Sequence, residues 1–159
     1  MHHKGILILD FGSQFTQLIA RRIREMNVYC EIHPCTEPFH DDWTYDGIVL
    51  SGGPASVLGE ETPDVDERWL QTDTVTLGVC YGMQMMALRT GCQLERGQKR
   101  EYGQSTLHLE GVHPFIDDVP KMSVAWMSHG DHVESVGDSW RVVGRSDAGV
   151  IATIVHSQN

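Results

Sequence analysis

The chain has 159 residues, 40% hydrophobic and 21% charged, which suits one globular domain with a real core. Its 12 Lys and Arg stand against 22 Asp and Glu, a formal net charge of -10, and a surface that tracks phosphates needs clustered cations, so nucleic acid is disfavoured as a partner. No apolar run reaches the roughly 18–20 residues of a membrane span, so no membrane is expected either.

The opening "MHHKGILILD" is no signal peptide, because its short apolar run leads straight into a core strand. No function is given to His2 or His3. Four cysteines, Cys30, Cys35, Cys80 and Cys92, are too scattered for a disulfide framework. They contain no CxxC pair to suggest zinc, so no metal is expected and the default setting is reducing and cytoplasmic.

In chain order, "GILILD" is a continuous apolar run, as expected of a parallel strand covered on both faces. "FGSQFTQLIARRIREMN" follows with Phe15, Leu18, Ile19, Ile23 and Met26 at helical spacing and Ser13 as N-cap. "VYCEIH" reads as a second strand and "YDGIVLSGGP" as a third that ends in a glycine-rich loop. "TVTLGV" reads as a fourth, and "YGMQMMALRTG" as a helix closed by Gly91. Strands alternating with helices predict an α/β fold with an open, mostly parallel sheet and flanking helices. After Gly91 the runs "STLHLEG", "MSVAWMS", "HVESV", "WRVVG" and "GVIATIV" are short and β-like, which predicts a β-rich part, partly antiparallel. With no repeat, low-complexity tract or linker, residues 1–159 read as a single domain.

Three stretches carry chemistry. Gly78-Val79-Cys80-Tyr81-Gly82 is the cysteine form of the G-x-S-x-G turn, which lifts a nucleophile to the carboxyl edge of a sheet and the N-terminus of a helix. There the helix dipole and backbone N–H groups favour a thiolate; a small buried cysteine fits the pattern as well. "LSGGPASV" puts adjacent glycines after the third strand, where backbone N–H groups can form an oxyanion hole or where glycine serves a tight turn. "WMSHGDHV" allows a metal site from His129, Asp131 and His132, a hairpin turn with surface histidines, or a substrate loop.

Together "ILILDFGSQ", "LIARRIRE", "GIVLSGGPASV", "LGVCYGMQ", "REYG" and "WMSHGD" resemble the class I, triad-type glutamine amidotransferases over about residues 6 to 152. "DFGSQ" and "WMSHGD" are most similar to the branch that serves GMP synthesis. The resemblance implies a glutaminase in which Cys80 attacks the carboxamide of L-glutamine. It implies the backbone N–H groups of Gly53 and Tyr81 as oxyanion hole, and Gln84, Ser128, Gly130 and Asp131 as the residues that hold glutamine. The released ammonia would pass to an ATP-pyrophosphatase (synthetase) domain or subunit that uses ATP and Mg to convert XMP to GMP. No cofactor is implied for the amidotransferase part itself.

The family completes its triad with histidine and glutamate in a His-Pro-Glu motif, and no such tripeptide occurs here. His156 in the closing "VHSQN" lacks the following Pro-Glu, so the base is not assigned to it. The domain is therefore expected to be incomplete at its C-terminus. The alternatives are another class I amidotransferase, or an impaired module that binds glutamine or a synthetase partner without turnover.

Overall fold

A computed structural model describes residues 5–157, and of residues 98–102 and 129 it describes the backbone alone. His2 and His3 lie outside the described residues. The chain divides into two units between Met86 and Ala87.

In the N-terminal unit the four expected strands form: β1 (Ile6–Asp10), β2 (Cys30–Pro34), β3 (Gly47–Leu50) and β4 (Thr76–Gly78). They make one parallel sheet in the order β2-β1-β3-β4. Successive strand residues point to opposite faces, yet Leu7, Ile8 and Leu9 are all 0% exposed, so both faces of β1 are covered. On one face Ile8 and Val49 pack with Cys30 and with Ala20, Ile19 and Ile23 of helix α1 (Thr16–Glu25). The methyl of Ala20 lets the helix lie close to the strands. Strand order reverses between β1 and β3, the place where open α/β sheets form their crevices.

The start of α1 departs from expectation. Phe15, not Ser13, is the flanking residue, and no side chain caps the helix. Ser13 instead accepts the Phe15 N–H at 3.1 Å through Oγ, a local turn that holds off the helix for two residues. At the other end Asn27 takes φ 59, and the Val28 N–H reaches back to the Ile23 carbonyl at 3.3 Å, a Schellman close with asparagine in glycine's place. Helix α2 (Tyr81–Arg89) closes as expected: Gly91 has φ 91 and the Cys92 N–H bonds the Ala87 carbonyl at 2.9 Å.

An aromatic bracket ties the β2–β3 and β3–β4 connections together. Trp69 Nε1 donates to the Glu37 carbonyl at 3.0 Å, and Phe39 packs edge-on against Trp69. Hydrogen bonds from His40 first, then His33, hold the Glu37 carboxyl below the usual carboxylate range. Burial, then the hydrogen bond to Glu31, pushes the Tyr45 hydroxyl up.

The C-terminal unit is a closed antiparallel barrel of β5 (Gln93–Leu109), β6 (Met122–Ser135), β7 (Trp140–Ser146) and β8 (Ile151–His156), ordered β5-β6-β8-β7. Its core gathers Leu107, Leu109, Ile116, Val143 and Val155. The β-rich, antiparallel expectation holds, with longer strands than the sequence suggests. "MSVAWMS" and the "HVES" of "HVESV" lie in one strand, so "SHGD" is neither a hairpin turn nor a loop.

Candidate active site at the strand to helix turn

Cys80 stands between β4 and α2, half-buried, with φ 50. A non-glycine residue in the left-handed region costs on the order of 1–3 kcal/mol and persists only where its surroundings impose it. Here they do. Val79 N–H bonds the Leu50 carbonyl at 2.9 Å, Gly82 N–H bonds the Ser51 carbonyl at 3.1 Å, and Gln84 N–H bonds the Cys80 carbonyl at 2.9 Å. The turn is thus pinned to the end of β3 from both sides of the cysteine.

The two glycines of the motif are explained by close approach rather than by φ. A methyl group on Gly78 would sit 2.5 Å from the Met83 nitrogen and 2.6 Å from its Cα. One on Gly82 would overlap the Leu50 carbonyl oxygen and lie 2.7 Å from the Leu50 Cβ. Backbone cannot rotate out of the way, so both positions exclude any side chain.

The loop after β3 runs beside the thiol. A methyl built on Gly52 would lie 3.4 Å from Cys80 Cβ and 3.6 Å from Ser13 Oγ, while one on Gly53 would meet the Phe11 carbonyl oxygen at 2.6 Å. The Gly53 N–H has no acceptor among the described residues. Tyr81 heads α2 and is 1% exposed; its ring packs 5.2 Å from Phe11 and its hydroxyl donates to the Pro63 carbonyl at 2.5 Å. One helical turn on, Gln84 is buried, its backbone N–H bonded to the Cys80 carbonyl. The N-terminal unit therefore brings Gly53, Cys80, Tyr81 and Gln84 to one sheet edge, at the carboxyl ends of β1, β3 and β4.

Ser128, Gly130 and Asp131 belong to the other unit, consecutive or nearly so in β6. Asp131 is buried and Ser128 exposed. Opposite Gly130 the β5–β6 register slips: Asp131 pairs with Arg96 and His129 with Glu101, so four β5 residues bulge past one. The bulge gives this polar stretch an irregular neighbour, which no local sequence signal announced. Asp131 and His132 are adjacent in a strand and point to opposite faces, against the metal reading. No group of three or more His, Cys, Asp or Glu among the described residues could hold a metal ion. Except for Gly103, the side chains of "REYG" lie outside those described. His156 packs edge-on against Trp140, its ring 5.0 Å away, a contact within the barrel unit.

Two residues that sequence reasoning did not single out organise the edge. Asp10 Oδ1 accepts from the Gly12 N–H at 2.9 Å and the Thr16 hydroxyl at 2.7 Å, fixing the loop after β1. Ser51, 0% exposed, sits at the start of the glycine loop. The available signal was an aspartate at a strand end followed two residues later by glycine, an Asx-turn pattern.

A family model for class I glutamine amidotransferases matches residues 7–159. The chain belongs to this family. Among the amidotransferases and their relatives, it is 41% identical to a glutamine-hydrolysing GMP synthase of Brachyspira hyodysenteriae, covering 96% of this chain and 30% of that protein. It is 43% identical to the one of Saccharomyces cerevisiae, over 95% of this chain and 29% of that protein. The chain thus spans about a third or less of these curated relatives. A solved glutamine amidotransferase of Thermotoga maritima superposes with TM-score 0.73 at 19% identity, covering 99% of this chain and 73% of that one. A candidate GMP synthase component from Thermoplasma acidophilum reaches TM-score 0.83 at 24% identity, covering 100% and 81%. These likenesses bear out the amidotransferase fold: a parallel sheet with flanking helices and an antiparallel β-rich part. No helix among the described residues is long and apolar enough to cross a membrane.

Proposed function

We propose that this amidotransferase domain is the glutamine-hydrolysing part of a GMP synthetase, with Cys80 as nucleophile. The observation that carries the reading is the strained Cys80 turn, held by glycine clearances beside a glycine loop whose Gly53 N–H has no acceptor among the described residues. The Cys80 sulfur attacks the side-chain carboxamide carbon of L-glutamine; the N–H groups of Gly53 and Tyr81 receive the oxyanion. The C–N bond breaks, ammonia leaves carrying the proton that the Cys80 thiol lost, and water cleaves the glutamyl thioester to glutamate and the free thiol. The family resemblance gives Gln84, Ser128, Gly130 and Asp131 substrate-holding roles, the Asp131 carboxylate suiting an α-ammonium. The two units act as a single domain in this reading, and it is cytoplasmic.

The ammonia acceptor in this reading is XMP at an ATP-pyrophosphatase domain or subunit, which uses ATP and Mg. Support comes from the length of the curated relatives, of which this chain spans 30% in one case. These 159 residues contain no His-Pro-Glu, the motif that supplies the family's triad histidine and glutamate. General acid and base assistance supplies typically 10²–10⁴-fold, so this chain alone should acylate and turn over slowly. That same gap supports a second reading, a module that binds glutamine without turnover. Glutamate release is the test: we expect slow release that Cys80→Ala abolishes. Equal release by both proteins would refute the nucleophile, whereas glutamine-induced thermal stabilisation without any release would favour the binding module.

A further inference from the structure

Ser51 makes more contacts at the site than a core hydroxyl needs. Its Oγ accepts the Phe11 N–H at 3.0 Å and donates to the Gly52 carbonyl at 2.9 Å, with Asp10 Oδ1 more distant at 3.4 Å. Its backbone N–H bonds the Leu9 carbonyl at 3.0 Å, and its carbonyl accepts the Gly82 N–H at 3.1 Å. One fully buried residue therefore joins the loop after β1, the glycine loop after β3 and the nucleophile turn before α2. The Gly53 position depends on the first of these joints, because Gly53 lies so close to Phe11 that a methyl built on it would meet the Phe11 carbonyl oxygen at 2.6 Å. A glycine loop without such a tether samples many conformations, and an N–H donor that wanders stabilises a developing oxyanion poorly.

We infer that Ser51 is a positioning residue that sets the Gly52–Gly53 loop against Cys80 through its hydroxyl. The inference rests on the glutaminase reading and deepens it. Ser51 touches no substrate; it acts through Phe11 and Gly52. Losing the hydroxyl leaves the buried Phe11 N–H without its acceptor and the Gly52 carbonyl without its donor. Both partners lie on the two loops whose separation fixes the Gly53 N–H.

The test compares two electrophiles on the full chain, below the melting temperature of each variant. Diazo-oxo-norleucine must be seated like glutamine, with its ketone where the oxyanion forms, before the thiolate displaces dinitrogen. Iodoacetamide needs only an accessible thiolate. In Ser51→Ala we expect Cys80 labelling by the first to slow about tenfold, the worth of one or two lost hydrogen bonds. Alkylation by iodoacetamide should stay within about twofold, and Ser51→Thr, which keeps the hydroxyl, should restore most of the specific labelling. Equal slowing with both electrophiles would reduce Ser51 to a structural role and overturn the inference, as would unchanged specific labelling. If Ser51→Ala does not fold, Ser51→Cys is read instead, with adducts mapped to Cys80 by mass spectrometry, since a thiol nearly conserves volume while weakening both the Phe11 and the Gly52 hydrogen bonds: slower specific labelling with unchanged iodoacetamide alkylation supports the inference and an unchanged specific rate overturns it. Absence of labelling in the unmodified protein is a separate result, and it removes the glutaminase reading itself.

Discussion

Gly82→Ala should destabilise the protein more than any other single methyl addition at the site, lowering the melting temperature by about 10 °C. The added methyl overlaps the Leu50 carbonyl oxygen and crowds the Leu50 Cβ, both in the fully buried end of β3. Overpacking typically costs 1–3 kcal/mol, and the upper end applies where the obstacle is backbone. For a chain of this size 3 kcal/mol corresponds to a shift of roughly 6–12 °C. Relief can come only by moving α2 away from β3, which would break the Gly82–Ser51 hydrogen bond and turn Cys80. Differential scanning calorimetry measures the stability. A shift under about 2 °C would mean that the helix is not seated as tightly as these distances require.

The second large effect is chemical. Gly53→Ala should slow glutamine-dependent acylation of Cys80 by about 100-fold, with a smaller loss of stability than Gly82→Ala. Its methyl would meet the Phe11 carbonyl oxygen at 2.6 Å, but this loop lies at the half-buried rim and can move outward. Moving outward carries the Gly53 N–H away from Cys80. Loss of one oxyanion donor costs about 10²–10³ in rate in other acyl-transfer enzymes. Single-turnover acylation by glutamine, quenched and read by mass spectrometry, gives the rate. A normal rate would assign the oxyanion to other donors.

Much of this was legible in the sequence because it was local. Short apolar runs mark β1 and β3, and Gly91 marks the end of α2, since both follow from the residues themselves. The Cys80 turn was legible as spacing. What the spacing could not say was why its glycines are glycine, because Leu50 and Met83 approach them from elsewhere in the chain. Ser13 misled for a local reason: its hydroxyl is an equally good turn acceptor two residues short of the helix. "SHGD" misled because polar residues with a glycine look like a loop, while the barrel runs β6 straight through them opposite a bulge in β5. Ser51 was invisible for the opposite reason, as serine before glycines is ordinary turn chemistry until its partners at Phe11, Gly52 and Gly82 are known.

If Cys80 is a glutamine-directed nucleophile, the site of covalent labelling by diazo-oxo-norleucine shows it directly. Three other cysteines serve as internal controls, because Cys30, Cys35 and Cys92 are all buried. A single adduct is expected, on Cys80, whose formation L-glutamine suppresses. Labelling spread over several cysteines, or labelling of Cys80 that glutamine leaves unchanged, would contradict it.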